Sequence, residues 1–202
     1  MKFFIFLSLI LSYNTYAQFN MYTGITFPTN ALESTNSNYL FRLWQPGMNL
    51  GINYDYGLSD DFAISPYLEY SYYIFDSYDS QPGIPEIRLV SSNGENSQIF
   101  RMGVFIKYSP SMSPLPQGYF ITGFGYTLEK IGKIKFNYYD INRGEFSTVQ
   151  EFGDRSYFVH ILGIGSRVIQ LNNFQIFIEV RSYSNYQDVL HISTNAGFIY
   201  NL

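Results

Sequence analysis

The segment MNLGINYDYG, residues 48–57, places an apolar or aromatic side chain at every second position. Asparagine, glycine and aspartate occupy most of the positions in between. Because successive side chains of a β-strand point to opposite faces, the segment predicts a strand with one apolar face and one small polar face. The fold depends on which face meets water. A soluble sheet exposes its polar face, whereas a barrel that crosses a membrane encloses it.

The same period of two recurs along the chain, and no helical period competes with it. Most of the alternating segments are about 9 to 13 residues long, a length that suits tilted strands crossing a hydrocarbon layer. The eight predicted strands are residues 19–27, 45–56, 62–74, 98–108, 119–129, 156–169, 174–184 and 189–202.

The connections between the predicted strands differ in length. Residues 57–61 and 170–173 are short, whereas residues 28–44, 75–97 and 130–155 are long and polar. A barrel with turns on one rim and loops on the other has this asymmetry. The last of the long segments keeps alternating beyond the predicted membrane edge, which predicts a projecting hairpin.

The composition favours a membrane environment. Charged residues make up 14% of the chain and aromatic residues 20%. Soluble domains carry charge on roughly 25–35% of their surface, whereas aromatic side chains collect at bilayer interfaces. The chain has no cysteine and therefore no disulfide, and it has no basic cluster that predicts a nucleic-acid partner. We therefore expect the apolar face of each strand to meet lipid and the polar face to line a lumen.

The first residues have the pattern of a secretory signal. Lys2 precedes an apolar run, and Thr15 and Ala17 stand at the spacing of a signal-peptidase site. We therefore predict a signal peptide over residues 1–17 and one barrel domain over residues 18–202.

The signal, the alternating strands, the inward-facing glycines and the aromatic final strand resemble the small outer-membrane β-barrels. The nearest comparisons are the OmpA membrane domain, OmpX and the PorT-like barrels of Bacteroidetes. The resemblance implies an all-β, eight-stranded antiparallel up-and-down transmembrane β-barrel in the outer membrane of a Gram-negative bacterium. Members commonly end in phenylalanine, whereas this chain ends in Leu202.

Charged residues at inward positions predict a lumenal ion network. Glu69 and Arg101 fall at similar heights on neighbouring strands and are expected to pair. The purely structural interpretation is a polar plug that fills the lumen, because the interior of an eight-stranded barrel is just wide enough to hold side chains. The alternative is a narrow gated pore for ions or small solutes. The predicted network comprises Glu69, Arg101, Lys107, Arg167, Glu179 and Arg181.

One segment is similar to the catalytic element of the outer-membrane lipid A deacylases. His191 and Ser193 precede Asn195, Ala196 and Gly197, although Thr194 interrupts the family pattern. The resemblance implies an acyl hydrolase with a histidine base and a serine nucleophile.

Two observations count against such an enzyme. No acidic residue follows Ser193, and Asp188 is the only acid nearby. The predicted register also turns both His191 and Ser193 toward the lumen. The two histidines of the chain have no ligand spacing for a metal.

We therefore predict a non-enzymatic outer-membrane protein without cofactor or metal, and with a structural or surface-interaction role. The expected surroundings are outer-membrane lipid and lipopolysaccharide, and the loops are expected to meet a protein or surface ligand. We expect a monomer. A pore and a lipid A deacylase are the alternatives. A soluble lipocalin-like barrel would require the apolar face of each strand to point inward and the polar face to point outward.

Overall fold

The computed structural model describes residues 17–28, 45–76, 79–81, 87–110, 117–151, 153–185 and 189–201. Nearly all of the predicted signal peptide, most of the segment 28–44, Asp188 and Leu202 lie outside these residues. Among the described residues, no helix has the length and apolar character needed to span a bilayer.

Eight strands pair into a closed antiparallel barrel, and each matches a predicted strand to within two residues at either end. The eight-stranded fold is therefore confirmed. The barrel closes where the first strand pairs with the last, with Phe19 opposite Tyr200. The order around the barrel is β1-β12-β11-β10-β7-β6-β3-β2. These strands are β1 (Ala17–Pro28), β2 (Gly47–Gly57), β3 (Phe62–Tyr73), β6 (Ser97–Tyr108), β7 (Gly118–Lys130), β10 (Asp154–Leu171), β11 (Phe174–Ser184) and β12 (Val189–Asn201).

Four shorter strands form a second sheet in the order β4-β5-β8-β9, which we call the projecting sheet. The predicted hairpin is confirmed, since β8 and β9 pair across a turn at residues 141–143. The segment 75–97, predicted to be a long polar loop, instead contains β4 and β5. The strands are β4 (Asp79–Gln81), β5 (Ile87–Gly94), β8 (Ile134–Asp140) and β9 (Gly144–Gln150).

The projecting sheet continues a ladder of the barrel. Gln98 of β6 pairs with Lys130 of β7, and Gly94 of β5 pairs with Ile134 of β8 in the same register. The paired strands β6 and β7 therefore continue past the loop-side rim as β5 and β8, which form the middle of the projecting sheet.

Exposure along the barrel strands alternates with the predicted parity. Leu50 is 56% exposed and Ile178 is 51% exposed, both on the outer face. Glu69 is 1% exposed and Arg101 is 0% exposed, both inside. The barrel is therefore apolar outside and charged inside, which is the inverse of a soluble protein.

Glycines on the inner face make room for large rings. An added Cβ on Gly51 would lie 2.2 Å from the ring of Tyr22, and one on Gly125 would lie 2.1 Å from the hydroxyl of Tyr67. The GFG segment at 123–125 therefore serves packing, because it is part of a strand and no phosphate-binding helix follows it.

An apolar cluster lies at the loop-side end of the barrel. Tyr73 and Ile99 belong to barrel strands, whereas Ile134 and Phe136 belong to the inner face of the projecting sheet, and all four are buried together. The cluster fixes the projecting sheet to the barrel rim.

Candidate functional site: the lumenal charge chain and the projecting sheet

Glu69 is the centre of the lumenal contacts. Its Oε1 atom lies 2.8 Å from Nη1 of Arg101 on the neighbouring strand. Its Oε2 atom accepts hydrogen bonds from the hydroxyl of Tyr183 at 2.7 Å and from that of Tyr22 at 3.1 Å. Both carboxylate oxygens are therefore satisfied without water.

Arg181 links this centre to a second carboxylate. Its Nη1 atom lies 3.8 Å from Oε2 of Glu69, and its Nη2 atom pairs with Glu179. Nη1 also donates to the hydroxyl of Tyr22 at 2.7 Å. Glu179 accepts a further hydrogen bond from the hydroxyl of Tyr119 at 2.7 Å.

Lys107 continues the series toward the turn side. Its Nζ atom lies 3.6 Å from Glu179 and donates to Oδ2 of Asp55 at 2.9 Å. Oδ1 of Asp55 accepts from Ser65 and from Asn53, both at 2.6 Å. Three cations and three carboxylates thus alternate without net charge, and we call this series the lumenal charge chain. In order, it contains Arg101, Glu69, Arg181, Glu179, Lys107 and Asp55.

The sequence placed five of these six residues in a network and missed Asp55. Asp55 belongs to the polar face of the opening segment, so its inward parity was visible. The predicted set also had four cations and only two carboxylates, an imbalance that called for another acid. In the barrel a single strand, β3, lies between β2 with Asp55 and β6 with Lys107, so the contact depends on the register of two strand pairs.

Arg167 was predicted to join the network and does not. Among the described residues it has no ion pair with a carboxylate. Arg167 pairs with Phe177, one inward position closer to the turns than Glu179. The ladder also shifts between Arg167 and Ile169, so this part of β10 departs from the regular register on which the prediction relied.

Aromatic rings pack against the cations and fill the lumen. The guanidinium of Arg101 lies 4.4 Å from the ring centre of Tyr183, and that of Arg181 lies 4.3 Å from the ring centre of Tyr22. Such stacking stabilises desolvated cations. The charge chain is therefore packed against aromatic rings in the interior, and this arrangement favours a plug over a path for solutes.

We expect the purified protein to give no steady conductance in planar bilayers, because packed side chains occupy the lumen. A trimeric porin incorporated in the same way provides the positive control. A steady conductance that changes on Arg101→Ala would contradict this expectation and favour a gated pore.

His191 and Ser193 do not form a reactive pair at the surface. Both are buried on the inner face of β12. The hydroxyl of Tyr73 lies 3.2 Å from Nδ1 of His191, and Asn195 donates to Oγ of Ser193 at 3.2 Å. A lipid substrate would lie on the other side of the barrel wall. The geometry therefore does not favour the hydrolase.

The barrel interior contains carboxylates and a histidine, which are side chains that can bind metal ions. Within the parts of the chain that the structure describes, no three histidine or carboxylate side chains are arranged to hold a metal ion.

The two edges of the projecting sheet differ. The β4 edge has three residues, whereas the β9 edge has seven. Strand β9 pairs with β8 in an unbroken register from Gly144 to Gln150. Its other side has no neighbouring strand among the described residues.

No protein-family model matches the sequence, and no curated protein matches it. Among solved structures, the chain is similar to Ail, the attachment invasion locus protein of Yersinia pestis, at 12% identity and a TM-score of 0.46, covering 93% of this chain and 97% of that chain. It is also similar to the N-terminal β-barrel domain of OprF of Pseudomonas aeruginosa, at 10% identity and a TM-score of 0.45, covering 94% and 100%.

A third similar structure is Neisserial surface protein A, at 12% identity and a TM-score of 0.44, covering 93% of this chain and 97% of that chain. At these identities no function follows from the likeness. The relationship to the PorT-like group stays a prediction.

Proposed function

We propose that this chain is a non-enzymatic barrel of the bacterial outer membrane that presents the projecting sheet at the cell surface as a binding element for an extended peptide segment. The inverted exposure of the barrel supports the membrane location. The packed lumen supports a scaffold in place of a pore. The observation that carries the binding role is the edge of β9 that has no neighbouring strand among the described residues, which we call its open edge.

Edge strands of natural proteins normally carry features that keep them from pairing with another sheet. Short length, inward-pointing charges, lysines, prolines and bulges all prevent one sheet from pairing with another. Strand β4 has only three residues and is therefore too short to pair extensively with another strand. Strand β9 has seven residues, no lysine, no proline and no bulge, and its one charged residue is Glu145 at its start. Its free backbone groups are a template for an incoming strand.

The remainder of the projecting sheet is built to hold β9 in place. The rings of Tyr138 and Phe146 stack at 5.3 Å across the β8–β9 pair. Nζ of Lys133 donates to Glu151 at 2.6 Å, and this hydrogen bond raises the pKa of the lysine. These contacts limit the ordering that binding would require, which favours affinity.

The location is tested in purified outer membranes. We expect a heat-modifiable gel band, because a closed barrel resists detergent until it is boiled. Protease added to intact cells is expected to cut within residues 130–155 and leave the barrel. Recovery of the protein in the soluble periplasmic fraction would contradict the proposal.

The binding role is tested with a labelled strand. The chain has no cysteine, so Arg143→Cys accepts a single fluorophore in the turn beside β9. The probe is a synthetic peptide of residues 134–140 with a quencher, because this sequence already pairs with β9 on its inner side. We expect saturable quenching.

Two proline variants provide the matched comparison. Backbone N–H groups of neighbouring residues point to opposite edges of a strand, so Ser147→Pro and Thr148→Pro affect different sides of β9. In one of the two variants β8 keeps its protection from amide hydrogen exchange, because the proline lies on the open side of β9. We expect this variant to lose quenching. Unchanged quenching in both variants would refute binding at the open edge.

A further inference from the structure

A column of three aromatic rings crosses the projecting sheet and ends at the open edge of β9. The ring centres of Phe136 and Tyr138 lie 6.2 Å apart on β8, and those of Tyr138 and Phe146 lie 5.3 Å apart across the β8–β9 pair. We call these three residues the ring column. All three lie on one face of the sheet, because Tyr138 pairs with Phe146 and is two residues from Phe136.

Burial decreases along the ring column toward the open edge. Phe136 is 4% exposed and belongs to the apolar cluster at the loop-side end of the barrel, Tyr138 is half-buried, and Phe146 is 39% exposed. Among the described residues, the ring that stacks on Phe146 is that of Tyr138. The ring column therefore ends in a partly exposed ring at the position where a further strand would join the sheet.

Strand spacing makes this last ring suited to recognition. A strand that pairs with the open edge of β9 would lie about 4.7–4.9 Å from it. Aromatic rings attract each other when their centres are about 4.5–7 Å apart. A ring directly opposite Phe146 would therefore extend the column as Tyr138 does on the inner side. Main-chain hydrogen bonds give affinity for any extended segment, whereas side chains at alternate positions decide which segment is preferred.

The other face of β9 offers no comparable contact. It presents Glu145, Ser147 and Val149, and Phe146 is the only aromatic residue of the strand. Within the described part of the chain Glu145 has no ion pair, so a cation on an incoming segment would pair with it. Solvent screens such an exposed pair, so it contributes little to affinity. The aromatic contact is therefore the stronger source of preference.

We propose that the open edge of β9 selects extended segments that carry an aromatic side chain directly opposite Phe146, on the face of the ring column. The inference rests on the binding role proposed above and names the class of partner, a peptide strand with aromatic residues at alternate positions. The segment 134–140 has this pattern, because Phe136 and Tyr138 are two residues apart. It therefore serves as the reference peptide.

The test is competition against the quencher-labelled reference peptide on the Arg143→Cys protein. The unlabelled competitors are the reference peptide and two variants of it, Tyr138→Thr and Tyr139→Thr. The two variants make the same substitution at adjacent positions, so they change opposite faces of the strand, and threonine keeps a high strand propensity. We expect Tyr138→Thr to bind roughly 2- to 10-fold more weakly than the reference. Tyr139→Thr is expected to bind as the reference does.

Substitutions in the protein check that Phe146 is the contact. Phe146→Thr removes the ring at the open edge, and Val149→Thr is the matched control on the other face of β9. With Phe146→Thr, we expect the reference peptide and its Tyr138→Thr variant to bind equally. With Val149→Thr, the difference between these two peptides is expected to persist. Protection of β8 from amide hydrogen exchange shows that the sheet remains formed in both proteins.

The outcomes separate the two proposals. Absence of quenching by the labelled reference peptide would refute the binding role itself. Equal competition by all three peptides would leave the binding role in place and refute only the aromatic preference. A difference between the peptides that persists in a folded Phe146→Thr protein would place the aromatic contact elsewhere and would also refute it. The peptide comparison is made with Phe146 in place, so it decides the question even where Phe146→Thr disrupts β9.

Discussion

Replacing Glu69 by glutamine is expected to lower the free energy of unfolding by about 3–5 kcal/mol, the cost of breaking a buried ion pair by removing one partner. Among the described residues, Arg101 would lose its ion pair and Arg181 would keep only its pair with Glu179, in a lumen where neither guanidinium reaches water. The change is isosteric, so the loss of charge accounts for the effect. Urea titration of the refolded protein in liposomes, followed by the gel shift of the folded band, measures it.

The matched control is Glu151→Gln. Glu151 pairs with Lys133 outside the barrel, where their side chains are 62% and 57% exposed. Solvent screens an exposed pair, so it contributes little to stability and the control should unfold close to the wild type. Replacing Glu69 and Arg101 together by methionine should recover part of the loss, because no charge of that pair remains. Equal stability of both glutamine variants would show that the lumen is hydrated.

Replacing Gly103 by valine is expected to prevent the barrel from closing in its native register. An added Cβ on Gly103 would lie 2.2 Å from the carbonyl oxygen of Phe124 and 2.6 Å from Cα of Gly125. Both atoms belong to the backbone of the neighbouring strand, so neither can rotate away. Overpacking a filled interior costs about 1–3 kcal/mol or more. The expected result is a fall in the yield of folded band after refolding.

Val104→Leu is the control for this change, since it adds volume one residue away on the outer face. Val104 is 48% exposed, so its side chain can grow into the lipid. The control should refold in the same yield as the wild type. A Gly103→Val protein that refolds equally well would mean that β6 and β7 tolerate a different spacing, and the packed lumen would have to be abandoned.

The strands could be predicted from the sequence because the signal is local. A period of two needs only neighbouring residues, and the face of each residue follows from its parity. The same reasoning placed Glu69 and Arg101 together, because their strands are joined by one connection and their heights can be counted from the turns. It failed for Arg167, because a shift in the ladder of β10 has no signature that counting detects.

Only half of the projecting sheet, the β8–β9 hairpin, was predicted. The β8–β9 hairpin has its own turn and alternates visibly, so it could be predicted. Strand β5 has no turn that joins it to its partner β8, whose paired residues lie 40 to 53 positions further along the chain. Its pairing follows from the register of β6 with β7, which continues past the rim. No local pattern distinguishes such a strand from a polar loop.

The sequence by itself determined the number of barrel strands, the face that each of their residues presents and the inversion of polarity that this implies. The tertiary structure alone decided that Asp55 completes a neutral charge chain and that one edge of β9 has no neighbouring strand among the described residues. The reason is physical. Parity follows from the geometry of one chain segment, whereas neighbours across a barrel follow from closure and register, which depend on all eight strands at once.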